Sequence, residues 1–331
     1  MIALGTPPAA TVRDQIELAK FAESEGFEGI ALVERLYDGH LMLTAIGQAT
    51  TKISLASSSG IHYRSPTLTA IDAAIIDQIS DGRLLLGLVP GSPIATAPFG
   101  LRFEKEHILT NMREYVTIVR SLLAGERVKF SGSVYKIEGA ELWFKPNRKI
   151  PIMLGCRGPK MSQLAGEISD GVFVGAMQPA SYVKNTLDNV ILGAKKIGRD
   201  PSELDLTGSV FYFDSLNDAR RFTAWWMNEQ PMFDDVWSYC NLMGTVEKVR
   251  RSFREGDPEG ALAHVEEKVV RTFSIWGTGE ECADLLEEFW SMGVTRIKID
   301  PKGKVSPGVR STPKESVMRT IKAIAAAVQR P

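Results

Sequence analysis

At 331 residues the chain is ample for one large domain or two ordinary ones, and 44% hydrophobic with 24% charged residues is the composition of a soluble globular protein. A formal net charge of −1, with Lys and Arg scattered, argues against a nucleic-acid partner, because a phosphate backbone is met by clustered positive charge. Cys156, Cys240 and Cys282 lie far apart without metal-ligand spacing, and no apolar run approaches the roughly 18 residues of a membrane helix. These features predict a cytoplasmic protein in a reducing compartment, with no signal peptide, no metal site and no membrane partner.

Short apolar runs alternate with amphipathic stretches. Ile2–Gly5 reads as a buried strand, followed by a helix in which Val12, Ile16, Ala19 and Ala22 keep helical spacing and Gly26 is the stop. Gly29–Glu34 is a second strand and Leu41–Thr50 a second helix. Ile53–Ser59 leads through Gly60–Pro66 to a helix over 67–80, and Arg83–Gly91 to a long helix from about Glu104 to Leu123. Ile150–Cys156 and Gly171–Ala176 are strands five and six, with a helix between them. Leu204–Phe213 is the seventh strand and Val294–Asp300 the eighth, closed by a helix over Lys314–Val328.

Eight strand–helix units predict a (β/α)8 TIM barrel in one domain spanning residues 1–331. A doubly wound sheet would carry a GxGxxG turn after its first strand, and GTPPAAT is not one. Two insertions break the rhythm: a strand-rich Gly125–Pro146 before strand five and a mostly helical stretch from about Asn217 to Val270 before strand eight.

Barrel chemistry sits at the C-terminal ends of strands, which shortens the candidate list. After strand five, Gly155, Cys156, Arg157, Gly158, Pro159 and Lys160 form a glycine-rich turn into a helix that starts near Met161. Free N–H groups and a partial positive charge suit such a helix start to an anion, and Pro159 fits the first turn; an ordinary βα loop has the same composition. After strand three, the run ASSSGIHYRSP places Ser57 and Ser58, then His62 and Tyr63, where small polar groups border a ligand or a ring donates a proton. A serine-rich surface turn is the plainer reading of that run. Gly91 and Ser92 offer small residues after strand four. Glu34 ends strand two as a general base, a substrate anchor, or half of a salt bridge with its neighbour Arg35. Phe222–Trp237, with three Trp and two Phe, lines an apolar pocket or packs as helix core.

The run TKISLASSSGIHYRSPTLTAIDAAIIDQISDGRLLLGLVPG resembles the third-to-fourth-strand region of the bacterial-luciferase-like oxidoreductases. IPIMLGCRGPKMSQLAGEISDGVFVGAMQP, GAKKIGRDPSELDLT and TFSIWGTGEECADLL are similar to the branch containing methylenetetrahydromethanopterin reductase. The resemblance runs over nearly the whole chain. It implies a flavin or deazaflavin across the barrel mouth, with coenzyme F420 as first choice and FMN as the alternative. The turn Gly155–Lys160 and Met161 would hold the cofactor phosphate or tail, bordered by Ala176 and Met177. A non-prolyl cis peptide is implied at Ser57–Ser58. Two positions depart from the reductase pattern: Gly5 stands where the pattern has a carboxylate, and Glu34-Arg35 where it has Asp-His. Arg35 would favour an anionic substrate or ring oxygen. The expected function is F420-dependent hydride transfer to or from a small organic substrate. Alternatives are an FMN-dependent monooxygenase served by a separate flavin reductase, and a non-catalytic homologue that binds no flavin. The resemblance also implies a homodimer built on barrel helices two and three.

Overall fold

The computed structural model describes residues 2–5, 11–34, 38–103, 105–277, 279–303 and 314–328; Thr6 and Arg35 fall outside them. Strand β1 (Ile2–Leu4) leads to α1 (Val12–Ser24), β2 (Gly29–Val33) to α2 (Gly39–Ala49), and β3 (Ser54–Gly60) to α3 (Pro66–Ile79). After β4 (Leu84–Val89) come the short α4 (Pro93–Thr96) and the long α5 (Ile108–Leu123). A hairpin of β5 (Val128–Ser131) and β6 (Lys136–Ala140) precedes β7 (Ile152–Gly155), α6 (Pro159–Ile168), β8 (Gly171–Val174) and α7 (Ala180–Lys196). β9 (Asp205–Phe213) is followed by α8 (Leu216–Glu229), α9 (Asp234–Tyr239), α10 (Met243–Arg254) and α11 (Glu267–Phe273). The chain closes with β10 (Ser274–Trp276), α12 (Gly279–Ser291), β11 (Arg296–Gly303) and α13 (Lys314–Val328).

Strands β1, β2, β3, β4, β7, β8, β9 and β11 pair in parallel in that order, and β11 returns to β1, so the sheet closes into the expected barrel. Strands in such a barrel are covered on both faces, which is why β2 reads GIALV with no polar alternation. Local signals agree with the fold: Thr11 caps α1 through Asp14 N–H, and Ser65 caps α3 ahead of Pro66.

Both insertions lie where the rhythm breaks. The β5–β6 hairpin is antiparallel and is tied to α5 by the Glu114 carboxylate, which accepts the N–H groups of Ser133, Val134 and Tyr135 at 2.7, 2.9 and 3.0 Å. β10 is an element the apolar pattern does not announce. It pairs with Phe211–Phe213, beyond Gly208 where β8 stops pairing with β9. Only three residues long, it gives no period to read.

Two cores result. The larger fills the space between barrel and helices, with Leu55, Leu84 and Ile297 on the outward strand faces. The smaller lies under the helical insertion around Phe213, Phe222, Trp237 and Phe273. Trp237 is fully buried there, so the aromatic stretch serves mainly as core. Removing such a ring would cost about 3–5 kcal/mol.

Candidate active site

The alternation of inward residues makes the barrel interior narrow and mostly small. Ala3, Gly29, Ala31, Ser54, Ala56, Phe173 and Thr207 meet there, together with Arg296 and Lys298. Ser58 continues the face of Ser54 and Ala56 upward to the mouth. On β11 the inward residues are charged: Lys298 Nζ lies 3.0 Å from Asp300 Oδ2, both buried, and Lys302 Nζ lies 4.5 Å over the Phe211 ring.

At the third strand the β3–β4 ladder runs from Ala56↔Leu85 to Ser59↔Leu88 and skips the residues between. The Ser57 hydroxyl fills the gap, accepting Gly87 N–H at 2.9 Å and donating to Gly87 C=O at 3.1 Å. Gly87 is required here, since a Cβ would fall 1.8 Å from the Ser57 carbonyl oxygen. The implied cis bond is corrected: no peptide bond among the described residues is cis. The irregularity at this strand takes the form of a ladder break sealed by a side-chain hydroxyl.

Glu34, directly after β2, is buried; Arg35 lies outside the described residues, so the pairing expected with it is not described. Glu34 Oε1 accepts from Arg64 Nη1 at 2.5 Å, 30 residues away in sequence. Arg64 also holds Asp38 and donates from Nε to Asp72 Oδ2 at 3.0 Å. Burial works against this guanidinium's charge, but Glu34 and then Asp38 and Asp72 outweigh it and hold the group above its ordinary pKa. The pairing of Arg64 with Glu34 is the site feature that sequence reasoning missed. The only local signal is the place of Arg64 just before the Ser65 cap.

His62 and Tyr63 sit on the loop after β3 and turn toward the segment after β4. The Tyr63 hydroxyl donates to Ala95 C=O at 3.0 Å and its ring meets Phe99; the His62 ring meets Phe103 edge-on at 5.4 Å. Gly91, at φ +81°, brings the chain beside His62, where a Cβ would be 3.4 Å from the ring. Ser92 caps α4, its Oγ accepting Ala95 N–H at 3.2 Å.

The turn after β7 combines several features of an anion cradle. Gly158 has φ +74° and ψ 155°, a conformation that essentially only glycine adopts, and open space lies where its Cβ would be. It precedes α6, whose start has Pro159 in the first turn and no side-chain cap. The N–H groups of Lys160 and Met161 are therefore not taken by a capping residue. Cys156 below the turn is buried; burial pushes its thiol up to about 12, a hydrogen bond with Ser162 opposing. Arg157 turns away from the helix start. Its guanidinium donates to Met232 C=O, stacks 4.2 Å from the Phe233 ring centroid and stands 3.6 Å from Asp235. Lys160 is exposed and lines a cleft of about 380 Å³ between α5 and α6 with Arg113, Glu167 and Lys196. The two expected cations thus point to different places.

After β8, Gly175, Ala176 and Met177 form a turn closed by Gln178 N–H on Gly175 C=O at 2.9 Å. Met177 is buried with φ +53°, and the Gln178 Oε1 is a buried acceptor without a partner among the described residues.

The chain belongs to the luciferase-like monooxygenase family, whose family model matches residues 2–296. Within that family it stands close to the F420-dependent methylenetetrahydromethanopterin reductases. It is 31% identical over 307 residues to 5,10-methylenetetrahydromethanopterin reductase of Methanolobus tindarius, covering 88% of this chain and 90% of that one. The solved coenzyme F420-dependent tetrahydromethanopterin reductase of Methanopyrus kandleri superposes with a TM-score of 0.86 at 25% identity, over 99% of this chain and 97% of that one. An F420-dependent glucose-6-phosphate dehydrogenase of Nakamurella multipartita is 30% identical over 204 residues, 57% of this chain and 60% of that one. The protein is accordingly a flavin- or F420-dependent oxidoreductase. The residues present fit a phosphate-bearing cofactor at the turn after β7, where the uncapped α6 start behind Gly158 is suited to an anion. No helix among the described residues is long and apolar enough to cross a membrane.

Proposed function

We propose that the protein transfers hydride between coenzyme F420 and a small organic substrate. The observation that carries this reading is the α6 start: Gly158 in a glycine-only conformation, open space beside it, and no side chain capping the helix. Relatives that share this architecture are named for F420 dependence with different substrates, which supports the cofactor more than any one substrate.

Bound F420 supplies a two-electron hydride carrier that does not activate oxygen usefully. The chain's own part is to bind, orient and exclude water. The N–H groups of Gly158, Lys160 and Met161 would receive the phosphate, with Gly155, Cys156 and Pro159 shaping the turn, and Ala176 and Met177 bordering it. Ser58, Gly91 and Ser92 leave space for the ring, and Ser57 holds β3 in register with β4 beneath it. Glu34 Oε2 is the acceptor at which a ligand hydrogen or a proton is held, with His62 and Tyr63 on the neighbouring loop. Orientation alone contributes much of such a reaction's acceleration.

A homodimer through α2 and α3 completes the reading. Leu41 on α2 and Leu68 on α3 are 70% and 53% exposed, so both helices carry an outward leucine. Light scattering of the purified protein checks it.

The functional test is an anaerobic assay of electrophilic C=C and C=N compounds, following loss of reduced F420. Turnover without oxygen supports hydride transfer. Turnover that needs oxygen and reduced FMN overturns it in favour of the monooxygenase reading, which the family's description favours.

A further inference from the structure

Glu34 is held in an unusual way for a residue at a barrel mouth. Its side chain is only 5% exposed, Oε1 is taken by Arg64, and Oε2 is buried with no partner among the described residues. A buried carboxylate oxygen left without a donor is costly, and native structures seldom keep one without a reason.

Arg64 is pinned on every side. Its Nε, Nη1 and Nη2 go to Asp72, Glu34 and Asp38 respectively. Asp72 Oδ2 also meets His40 Nδ1 at 3.0 Å, and His40 Nε2 meets Ser59 Oγ at 3.1 Å. The Arg64 carbonyl accepts from Tyr115, whose hydroxyl lies 2.6 Å from Thr69 Oγ1. The ends of β2 and α2 and helix α3 therefore meet at the guanidinium, while β3 and α5 brace the residue through His40 and through its backbone carbonyl. A side chain so held has no freedom to swing between partners, and its fork fixes the plane of the Glu34 carboxylate.

We propose that Arg64 is a positioning residue: it occupies Glu34 Oε1 and so presents Oε2 as the single open acceptor to the ligand. This rests on the reading of the barrel mouth as the cofactor and substrate site. It also defines the ligand's chemistry at that point. Among the described residues three carboxylates face the Arg64 guanidinium, and at Glu34 Oε2 a bare carbonyl or phosphate oxygen would meet another acceptor. The group that meets Glu34 carries an N–H or O–H, as an amine, a protonated imine, a hydroxyl or a ring N–H does.

The test is a double-mutant cycle with Arg64→Lys and Glu34→Gln, read by cofactor affinity from fluorescence titration and by substrate KM and kcat separately. Arg64→Lys keeps the charge but not the fork. Each single variant should weaken binding of the ligand that meets Glu34 about ten-fold, and the double variant should be no weaker than Glu34→Gln alone. Asp72→Asn, which loosens Arg64 without touching Glu34, should give a smaller loss that also disappears in the Glu34→Gln background. Losses that add in both cofactor affinity and KM, or that merely follow thermal stability, would overturn the proposal. If the wild-type protein prefers FMN, the F420 reading fails, and the same cycle run with FMN still decides the role of Arg64.

Discussion

Gly5, directly after the first strand, and Asp300 on the last share one space. Gly5 N–H donates to Ile299 C=O at 2.7 Å, and a Cβ at Gly5 would fall 1.9 Å from Asp300 Oδ1. The Asp300 carboxylate therefore lies across the glycine, with Lys298 at its other oxygen. The position where the reductase pattern has a carboxylate is thus bare because a carboxylate from the adjacent strand covers it. Gly5→Ala should destabilise the protein by about 1–3 kcal/mol through overpacking. Combining it with Asp300→Gly should recover the part due to the clash. Urea unfolding of the two variants measures this, and an unchanged midpoint in Gly5→Ala would refute the packing argument.

Gly158→Ala meets open space, so backbone strain alone is at stake, about 1–3 kcal/mol for a residue held in that conformation. The strain is relieved by changing the turn, so cofactor affinity should fall while the barrel stays folded. Calorimetry of cofactor binding beside a thermal melt separates the two effects.

Arg157 and Lys160 should behave differently when changed singly. Arg157→Ala removes the contacts to Met232, Phe233 and Asp235 and should free the segment 231–239 to exchange its amide hydrogens faster. Lys160→Ala should leave that segment unaltered. Equal exchange in the two variants would contradict the assignment of Arg157 to the insertion.

Acid should release the β5–β6 hairpin. Burial alone would raise the Glu114 pKa, but the N–H groups of Tyr135, Val134 and Ser133 outweigh it and hold the carboxyl below its usual range. The folded value is the lower one, so this contribution is complete above the unfolded pKa and lost as pH falls through the folded one. Hydrogen exchange at 133–135 should rise on acidification, and Glu114→Gln should show the rise already at neutral pH.

How much of this was legible depends on range in sequence. The barrel strands and the helix over Lys314–Val328 follow from periodicity, which is local. The α6 turn was legible too, because Gly-Pro punctuation before a helix is a short pattern. The Glu34–Arg64 pair was not, because the two are 30 residues apart and meet only once β2 and β3 lie side by side. The contacts of Arg157 were not legible either, since Met232, Phe233 and Asp235 lie some 75 residues further along the chain.

Parallel titration of the apoprotein with F420 and FMN, oxidised and reduced, tests the central claim most directly. Saturable, tighter binding of F420, weakened by Gly158→Ala, is the expected result. Preference for reduced FMN, or F420 binding indifferent to Gly158→Ala, would contradict it.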